Sequence, residues 1–280
     1  MKIDAHQHFW KYNREEYPWM GSDKKAIASD HMPSDLKPEL DSAGFHGTVA
    51  VQARQLRKET DFLLELANRY SWIRGVVGWL DLAAPDLQYQ LEVYRQYPAL
   101  KGLRELIHDM ADPRYAESDD HVRGVALLQR YGLRYDLLLR TAHIEPAIAL
   151  VDRLPGQLFV IDHIAKPDIA AGEFEEWRVR IQEIARRPTV YCKLSGMVTE
   201  ARWDSWSAAD FHRYMDVCLE AFGASRLMIG SDWPVCTLAG SYGGVMQVVE
   251  GYVERLSEAE QAAILGGTAV RFYGLGGTGS

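Results

Sequence analysis

The amino-acid sequence predicts one α/β domain folded as a distorted (β/α)8 barrel, and three observations support this fold class. Eight short apolar segments alternate with longer helical patterns along the 280 residues. Several of these segments are apolar almost throughout, which is typical of parallel strands covered on both faces. Single barrels of this kind commonly occupy about 250 residues, which suits one domain. We expect the barrel over residues 1–273 and a flexible tail over residues 274–280.

Each predicted strand is a short apolar run bounded by polar or turn-forming residues. In chain order the strands are Lys2–Phe9, Gly47–Arg54, Ile73–Leu82, Leu100–Leu106, Arg134–Arg140, Leu158–Ile164, Val190–Ser195 and Leu227–Ser231. An open doubly wound sheet is the alternative, and it requires a glycine-rich turn after the first strand. The segment Phe9–Asn13, with the sequence FWKYN, stands there instead and favours the closed barrel.

The predicted helices carry apolar side chains at helical spacing, as the segment Asp61–Ala67 (DFLLELA) illustrates. In chain order they are Glu59–Tyr70, Pro85–Gln96, Asp119–Tyr131, Glu145–Leu154, Phe174–Arg186, Ala208–Phe222 and Glu258–Tyr273. The connection after the first strand, from Trp10 to about Met32, is long for a barrel loop. Loops of that length commonly act as lids or binding elements.

Composition and charge narrow the class of protein. A net charge of −8 and a pI near 5.6 argue against a nucleic-acid partner. No segment approaches the roughly 20 apolar residues of a membrane span. The three cysteines, Cys192, Cys218 and Cys236, are widely spaced, which favours a reducing compartment over a disulfide framework. We therefore expect a cytoplasmic protein with no nucleic-acid or membrane partner, and its oligomeric state stays open.

The tripeptide His6-Gln7-His8 is the most informative chemical feature of the chain. In a strand the side chains alternate between two faces, so His6 and His8 point to the same side. Two neutral imidazoles that converge on one point suit zinc or a similar cation. The competing interpretation is a pair of hydrogen-bonding groups that hold a substrate carbonyl directly.

Polar residues also stand at the ends of other predicted strands, where the active site of a barrel lies. They are Gln52 and Arg54, Arg104 and Glu105, Asp162 and His163, Lys193 and Ser195, and Ser231 and Asp232. A carboxylate such as that of Asp232, beside a metal, can take a proton from an attacking water. We therefore expect residues 6, 8, 163 and 232 to meet at one mouth of the barrel.

Three segments, in order, resemble the amidohydrolase superfamily: His6-Gln7-His8, Val160–Pro167 (VIDHIAKP) and Gly230–Pro234 (GSDWP). Further segments resemble its amidohydrolase-related branch: Asp4–Trp10 (DAHQHFW), Lys101–Arg104 (KGLR) and Lys193–Gly196 (KLSG). That branch contains sugar-acid lactonases, the L-fuconolactonase and L-rhamnonolactonase group. The resemblance runs from residue 2 to about residue 273. It implies a distorted (β/α)8 barrel, hydrolysis of a lactone or related bond, and a mononuclear metal centre.

The chain departs from the binuclear members of that superfamily, in which a lysine at the end of the fourth strand bridges two metals. Here Lys101 stands at the beginning of that strand. The resemblance therefore implies one divalent ion, taken as zinc, with at most four ligands: His6, His8, His163 and Asp232. The fifth strand lacks the terminal histidine of other members, and some relatives work without a metal. Action without a metal is kept as an alternative.

The roles that follow are hypotheses about single residues. Asp232 is assigned as the general base, and His163 as a catalytic group that steers the departing alkoxide. Candidate substrate contacts are Arg54, Arg104, Lys193, Trp10, His31 and His108. The cations suit a substrate with hydroxyls or a carboxylate, and an aromatic face can stack on a sugar ring. For each cation, an ion pair in the barrel wall is the competing role.

The reaction that these assignments predict is the opening of a sugar-acid lactone, of the L-fucono- or L-rhamnono-lactone type, to the aldonic acid. Water activated by Asp232 and the metal attacks the lactone carbonyl. One alternative is an amidohydrolase-type hydrolase or decarboxylase that acts on a carboxylated aromatic-derived lactone or a keto acid. A further alternative is a non-catalytic barrel that binds a polar small molecule.

Overall fold

A computed structural model describes residues 1–276, in which eight strands form one parallel sheet in sequence order. The strands are β1 (Ile3–Gln7), β2 (Gly47–Val51), β3 (Ile73–Gly78), β4 (Leu100–Glu105), β5 (Arg134–Leu137), β6 (Phe159–Ile161), β7 (Val190–Leu194) and β8 (Leu227–Ile229). Their side chains are almost all buried, which explains the apolar runs in the sequence. The predicted α/β barrel is confirmed, with strands that end earlier than expected.

The barrel closes just beyond β8, through the segment Ser231–Trp233, which we call the closing seam. The backbone N–H of His8 donates to the carbonyl of Trp233 at 2.7 Å. The backbone N–H of Asp232 donates to the carbonyl of His6 at 2.8 Å. These two bonds join the end of β1 to the segment that follows β8.

The carboxylate of Asp4, within β1, stabilises the closing seam from inside the barrel. Its Oδ1 accepts the backbone N–H of Ser231 at 2.9 Å, and its Oδ2 accepts the Ser231 hydroxyl at 2.6 Å. The hydroxyl of Tyr242 also donates to Oδ2, at 3.2 Å. Burial raises the pKa of Asp4 to about 6 despite these donors. A charged side chain in the first strand therefore holds the seam.

Ten α-helices surround the strands within the described residues. They are α1 (Pro33–Ser42), α2 (Arg57–Arg69), α3 (Leu87–Tyr94), α4 (Asp119–Arg130), α5 (Ile144–Arg153), α6 (Glu175–Ala185), α7 (Ala208–Phe222), α8 (Tyr242–Val253), α9 (Glu258–Ala262) and α10 (Thr268–Tyr273). The sequence analysis did not predict α1 or α8. Pro38 inside α1, and glycines at 243, 244 and 251 in α8, obscure the helical pattern.

The predicted last helix, Glu258–Tyr273, is interrupted by a π-helical turn over Ala263–Gly267. A side chain at Gly266 would lie 2.2 Å from the carbonyl oxygen of Met1, so only glycine fits against the start of the chain. Beyond this turn, α10 covers the N-terminal end of the barrel. There the guanidinium of Arg134, the first residue of β5, donates to the carbonyl of Phe272 at 2.5 Å.

The predicted tail begins directly after α10. Leu275 donates its backbone N–H to the carbonyl of Val270 at 3.0 Å. Residues 277–280 of the predicted tail lie outside the described residues. Between residues 1 and 276, no helix is both long enough and apolar enough to span a bilayer. The three cysteines are free and buried.

Candidate active site

Four side chains that are far apart in the sequence meet at the C-terminal mouth of the barrel. The shortest distance joins His8 Nε2 and Asp232 Oδ1, at 3.1 Å. The same carboxylate oxygen lies 3.7 Å from His163 Nε2 and 3.8 Å from His6 Nε2. The structure thus brings together the four residues that the sequence analysis placed at one mouth. Their individual roles stay predictions.

The two histidines of the first strand converge as strand alternation predicts. The ring centres of His6 and His8 are 4.9 Å apart, with the ring planes nearly perpendicular. His8 Nδ1 lies 2.7 Å from the backbone carbonyl of Val51 at the end of β2. Because a carbonyl only accepts hydrogen bonds, Nδ1 carries a proton, and the other ring nitrogen, Nε2, faces Asp232.

His163 stands on a left-handed turn rather than on a strand, which corrects the predicted strand Leu158–Ile164. Four consecutive residues without glycine have positive φ: His163 (55°), Ile164 (49°), Ala165 (63°) and Lys166 (47°). Such conformations cost on the order of 1–2 kcal/mol per residue. The indole N–H of Trp177 supports the turn by donating to the carbonyl of Ile164 at 2.7 Å. The strain places the His163 ring at the mouth.

A hydroxyl group fixes the other side of the His163 ring. Ser195, directly after β7, has its Oγ 2.9 Å from His163 Nδ1. Asp232 is likewise held by an unusual backbone, with φ at 59°. The backbone and a neighbouring side chain therefore orient each of these two groups.

Burial sets the protonation states at this mouth. It lowers the pKa of His6 and that of His163 well below the ordinary value, so both rings are neutral near pH 7. Burial alone would raise the pKa of Asp232. The neighbouring rings of His163 and His8 outweigh it, and the pKa of Asp232 lies below its ordinary value. The neutral rings of His6 and His163 therefore face an ionised carboxylate.

Beneath His6 lie four buried charged side chains, which we call the ionic layer: Arg104, Asp136, Asp162 and Lys193. Arg104 Nη1 donates to Asp162 Oδ2 at 2.9 Å. Lys193 Nζ lies 2.6 Å from Asp136 Oδ2 and 2.9 Å from Asp162 Oδ1. The two cations and two carboxylates balance, as buried charges must.

The ionic layer holds the His6 ring from two sides. Lys193 Nζ lies 3.1 Å from His6 Nδ1, and Arg104 Nη1 lies 3.2 Å from His6 Nε2. Asp162 Oδ1 also lies 3.3 Å from Nδ1. The orientation of His6 therefore depends on groups that lie below the mouth.

The donor set at the mouth fits a divalent cation. Ligand atoms of His6, His8 and Asp232 lie within 4.8 Å of one another, and His163 forms a second such group with His6 and Asp162. The lone pair of His8 Nε2 and the Asp232 carboxylate repel each other at 3.1 Å unless a proton or a cation lies between them. Imidazole nitrogen with carboxylate oxygen is the ligand chemistry of zinc.

A cavity of about 360 Å3 opens at the mouth, with His8, His163, Asp232 and Arg104 in its wall. Its other polar lining residues are Lys24, His108, Asp109, Arg140 and Lys166, and its aromatic one is Trp19. A cavity of this size accommodates a small ligand. The charged side chains that line it are mainly cations.

The pKa of His108, in the wall of this cavity, is lowered by burial and by neighbouring cations. Burial is the main cause that lowers its pKa to about 3, and the charges of Lys166, Arg140 and Arg104 add to it. The ring is therefore neutral near pH 7. Its Nδ1 is buried and has no hydrogen-bond partner among the described residues.

Of the six predicted substrate contacts, Arg104 and His108 line the cavity and the other four do not. Lys193 is fully buried in the ionic layer. Arg54 forms ion pairs with Glu16 and, at 2.5 Å, with Glu59, which is the competing role that the sequence analysis named. These two cations lie in the barrel wall.

Trp10 and His31 pack against the first loop instead of the cavity. The Trp10 indole is fully buried and donates to the carbonyl of Ser29 at 2.9 Å. The His31 ring packs edge-on against Trp10 and Trp233, with ring centres 5.4 Å apart in both pairs. Trp19, nine residues further along the loop than Trp10, takes the place at the cavity.

Three cations of the cavity were not predicted from the sequence: Lys24, Arg140 and Lys166. Arg140 and Lys166 both pair with Glu200, at 3.3 and 2.8 Å, across three successive loops of the barrel. Lys166 belongs to the segment that carries the family resemblance, and Arg140 ends the fifth predicted strand. Their positions at the ends of predicted strands could have indicated a place at the active-site mouth. Single cations are common at such positions, so this indication is weak.

Comparisons with known proteins show the family to which the whole chain is similar. The sequence model of the amidohydrolase family matches residues 3–275. An L-fucono-1,5-lactonase of Burkholderia multivorans is 42% identical over 98% of this chain and 96% of that protein. An L-fucono-1,5-lactonase of Burkholderia ambifaria is 37% identical over 97% of this chain and 95% of that protein.

A solved structure extends the likeness to the whole fold. It is an amidohydrolase from Burkholderia multivorans with bound zinc, and it superposes with a TM-score of 0.95 at 41% sequence identity. The match covers 98% of this chain and 99% of that one. The likeness therefore includes every strand that contributes to the mouth.

Proposed function

The chain belongs to the amidohydrolase family, and we propose on that basis that it opens a sugar-acid lactone of the L-fucono-lactone type to the aldonic acid. One observation carries the proposal. The ionised carboxylate of Asp232 lies 3.1 to 3.8 Å from ring nitrogens of His8, His163 and His6, in the wall of a cavity whose size accommodates a small sugar ring. Two relatives of matching length bear the name L-fucono-1,5-lactonase.

We propose His6, His8 and Asp232 as the residues that hold one divalent ion, with zinc as the first candidate. Their ligand atoms form a compact group, and zinc is bound in the related Burkholderia multivorans structure. When bound, the ion would supply Lewis acidity that polarises the lactone carbonyl. All other steps are assigned to side chains of this chain.

Asp232 acts as the general base. Its carboxylate takes a proton from water while the water oxygen attacks the carbonyl carbon of the lactone, which gives a tetrahedral intermediate. The bond from this carbon to the ring oxygen then breaks. Asp232 returns the proton to the ring oxygen, which becomes a hydroxyl, and the carbonyl carbon becomes the carboxylic acid of the product.

Two neighbours stabilise the charge that develops. The guanidinium of Arg104 lies in the cavity wall and supplies a fixed positive charge near the oxygen that becomes negative. The neutral His163 ring, held at Nδ1 by Ser195, can donate from Nε2 to the departing ring oxygen. Both groups are oriented before the substrate arrives, so little reorganisation accompanies the reaction.

The rest of the cavity suits a hydroxyl-rich ring. Trp19 offers an aromatic face for the apolar side of a sugar, and its indole N–H is already bound to the carbonyl of Ala53 at 2.9 Å. Lys24, Arg140 and Lys166 supply hydrogen-bond donors for hydroxyls and for the carboxylate of the product.

The proposal is tested by following acid release at constant pH with a panel of lactones. The panel contains L-fucono-1,5-lactone, L-rhamnono-1,4-lactone and, for the alternative substrate class, 2-pyrone-4,6-dicarboxylate. Each rate is corrected for spontaneous opening. We expect the highest kcat/KM with the L-fucono-lactone. Preference for the dicarboxylate would move the assignment to the alternative class, and rates equal to the spontaneous ones throughout would overturn the proposal.

A further inference from the structure

Tyr273, near the end of the chain, reaches the site from the opposite end of the barrel. It is the last residue of α10, which covers the N-terminal ends of the strands. Its side chain is buried, with 3% of the residue exposed, and its hydroxyl donates to Asp136 Oδ2 at 2.7 Å. The Tyr273 ring also lies 5.6 Å from Lys193 Nζ. A residue of α10 therefore contacts the ionic layer.

A continuous chain of contacts leads from Tyr273 to the mouth. Asp136 Oδ2, which accepts the tyrosine hydroxyl, also accepts Lys193 Nζ at 2.6 Å. The same ammonium lies 3.1 Å from His6 Nδ1 and 2.9 Å from Asp162 Oδ1. The Lys193 ammonium thus lies against three groups: the carboxylates of Asp136 and Asp162 and the ring of His6.

We propose that Tyr273 is a positioning residue for His6, acting through Asp136 and Lys193. The inference rests on the proposed function to the extent that His6 belongs to the metal and substrate site. It assigns to α10 a role beyond covering the N-terminal end of the barrel.

The reason lies in how few donors Asp136 has. Its Oδ1 is buried and has no hydrogen-bond partner among the described residues. Its Oδ2 shares its charge between the Tyr273 hydroxyl and the Lys193 ammonium. Without the hydroxyl, the carboxylate is held by Lys193 alone and is free to turn about its Cβ–Cγ bond. Lys193 Nζ, already 2.6 Å from Oδ2, turns with the carboxylate and away from His6 Nδ1, and the ring loses the contact that orients it.

Tyr273→Phe tests this because it removes only the hydroxyl and keeps the ring packed in α10. Tyr252→Phe is the matched control. The Tyr252 hydroxyl donates to the carboxylate of Asp216 at 2.9 Å, a bond of the same kind between α8 and α7, outside the barrel interior. The measurements are zinc affinity by competition with a chromophoric chelator, kcat and KM on the lactone, and Tm.

We expect Tyr273→Phe to weaken zinc affinity and to lower kcat, each by about 10- to 100-fold, the usual effect of losing a group that orients a metal ligand. KM should stay within about twofold. Asp136→Asn breaks the same chain one residue closer to His6 and should produce the same losses. Tyr252→Phe should leave zinc affinity and kcat unchanged. A Tyr273→Phe enzyme that loses only Tm, as the control does, would overturn the inference.

A readout independent of activity separates this inference from the proposed function. Long-range 1H–15N spectra of the metal-free protein resolve the ring nitrogens of its histidines and report their tautomers. Tyr273→Phe should shift the His6 nitrogens, and Tyr252→Phe should not. If the wild-type protein opens no lactone and Tyr273→Phe still shifts His6, the proposed function fails and the positioning role stands. Unshifted His6 signals would reject the positioning role.

Discussion

Gly196 lies so close to the ring of His163 that no side chain fits between them. A Cβ atom at position 196 would stand 2.5 Å from His163 Nδ1 and 2.6 Å from its Cγ. The backbone of Gly196 also has φ at +62°, a conformation that residues with a side chain rarely adopt. This contact fixes one face of a ring that the strained turn and Ser195 already hold.

Gly196→Ala should therefore displace His163 and impair the site. The methyl group would push the ring out of its hydrogen bond with Ser195, and overpacking of this kind costs about 1–3 kcal/mol. We expect kcat to fall by about 10-fold or more, as for lost proton-transfer or hydrogen-bonding groups. Steady-state kinetics and urea unfolding measure the two effects. Gly223→Ala is the control, because Gly223 has φ at +66° with no atom near a Cβ, and it should lower stability while leaving kcat intact.

Asp232→Asn should lower kcat by about 10²- to 10⁴-fold, since the amide cannot accept the proton of the attacking water. The substitution keeps the shape of the side chain, so circular dichroism and Tm should remain near the wild-type values. Asp216→Asn, in a carboxylate of α7 far from the mouth, serves as control. Near wild-type turnover by Asp232→Asn would remove Asp232 from the mechanism.

Removal of the divalent ion should abolish most of the activity. Dialysis against a chelator, followed by titration with Zn2+, should restore turnover at about one ion per chain. Because the ion binds only the folded protein, it should also stabilise the fold, by about 2.7 kcal/mol at a free concentration 100 times its Kd. Full turnover by protein free of metal would instead support the alternative in which His6 and His8 hydrogen-bond the substrate carbonyl.

Glu105, the last residue of β4, should make stability depend on pH. Burial raises the pKa of its carboxyl to about 7, although Trp79 and Gln55 donate to it. Between its ordinary value of 4.5 and about 7, the folded state keeps the proton that the unfolded chain releases. The free energy of unfolding should therefore fall as the pH rises through this interval.

Glu105→Gln removes this titration, and at pH 8 we expect the variant to be more stable than the wild type by on the order of 2 kcal/mol. Urea unfolding between pH 5 and pH 8 measures the difference. Asp4 is a second buried carboxyl with a raised pKa, so a weaker slope should remain in the variant. Glu65→Gln, on the exposed face of α2, should retain the wild-type slope. Equal slopes for the wild type and Glu105→Gln would rule out this origin.

The architecture could be predicted because burial on both faces of a parallel sheet leaves apolar runs at regular intervals. The pair His6 and His8 could be predicted for the same reason, since strand alternation fixes their common side. Helices α1 and α8 could not, because proline and glycine within them conceal the helical period.

The left-handed turn that carries His163 could not be predicted from the sequence, for a different reason. Ile164 and Ala165 resist positive φ, so local preference predicts a strand there, and only tertiary contacts such as the Trp177 hydrogen bond overrule it. The structure also places Trp10 away from the cavity, because the packing of a long loop decides which indole reaches the cavity. Trp19 does so in this fold.

The closing seam has a consequence for how the protein matures. His6 and His8 precede Asp232 by 224 residues or more, so the ribosome adds this carboxylate long after the two imidazoles. Until Ser231 reaches Asp4, the first strand has no neighbour on one edge and the two histidines lack the carboxylate of Asp232 beside them. In a chain that is still being synthesised, the side chains of the mouth therefore stay apart, and they come together only at the moment at which the cylinder shuts.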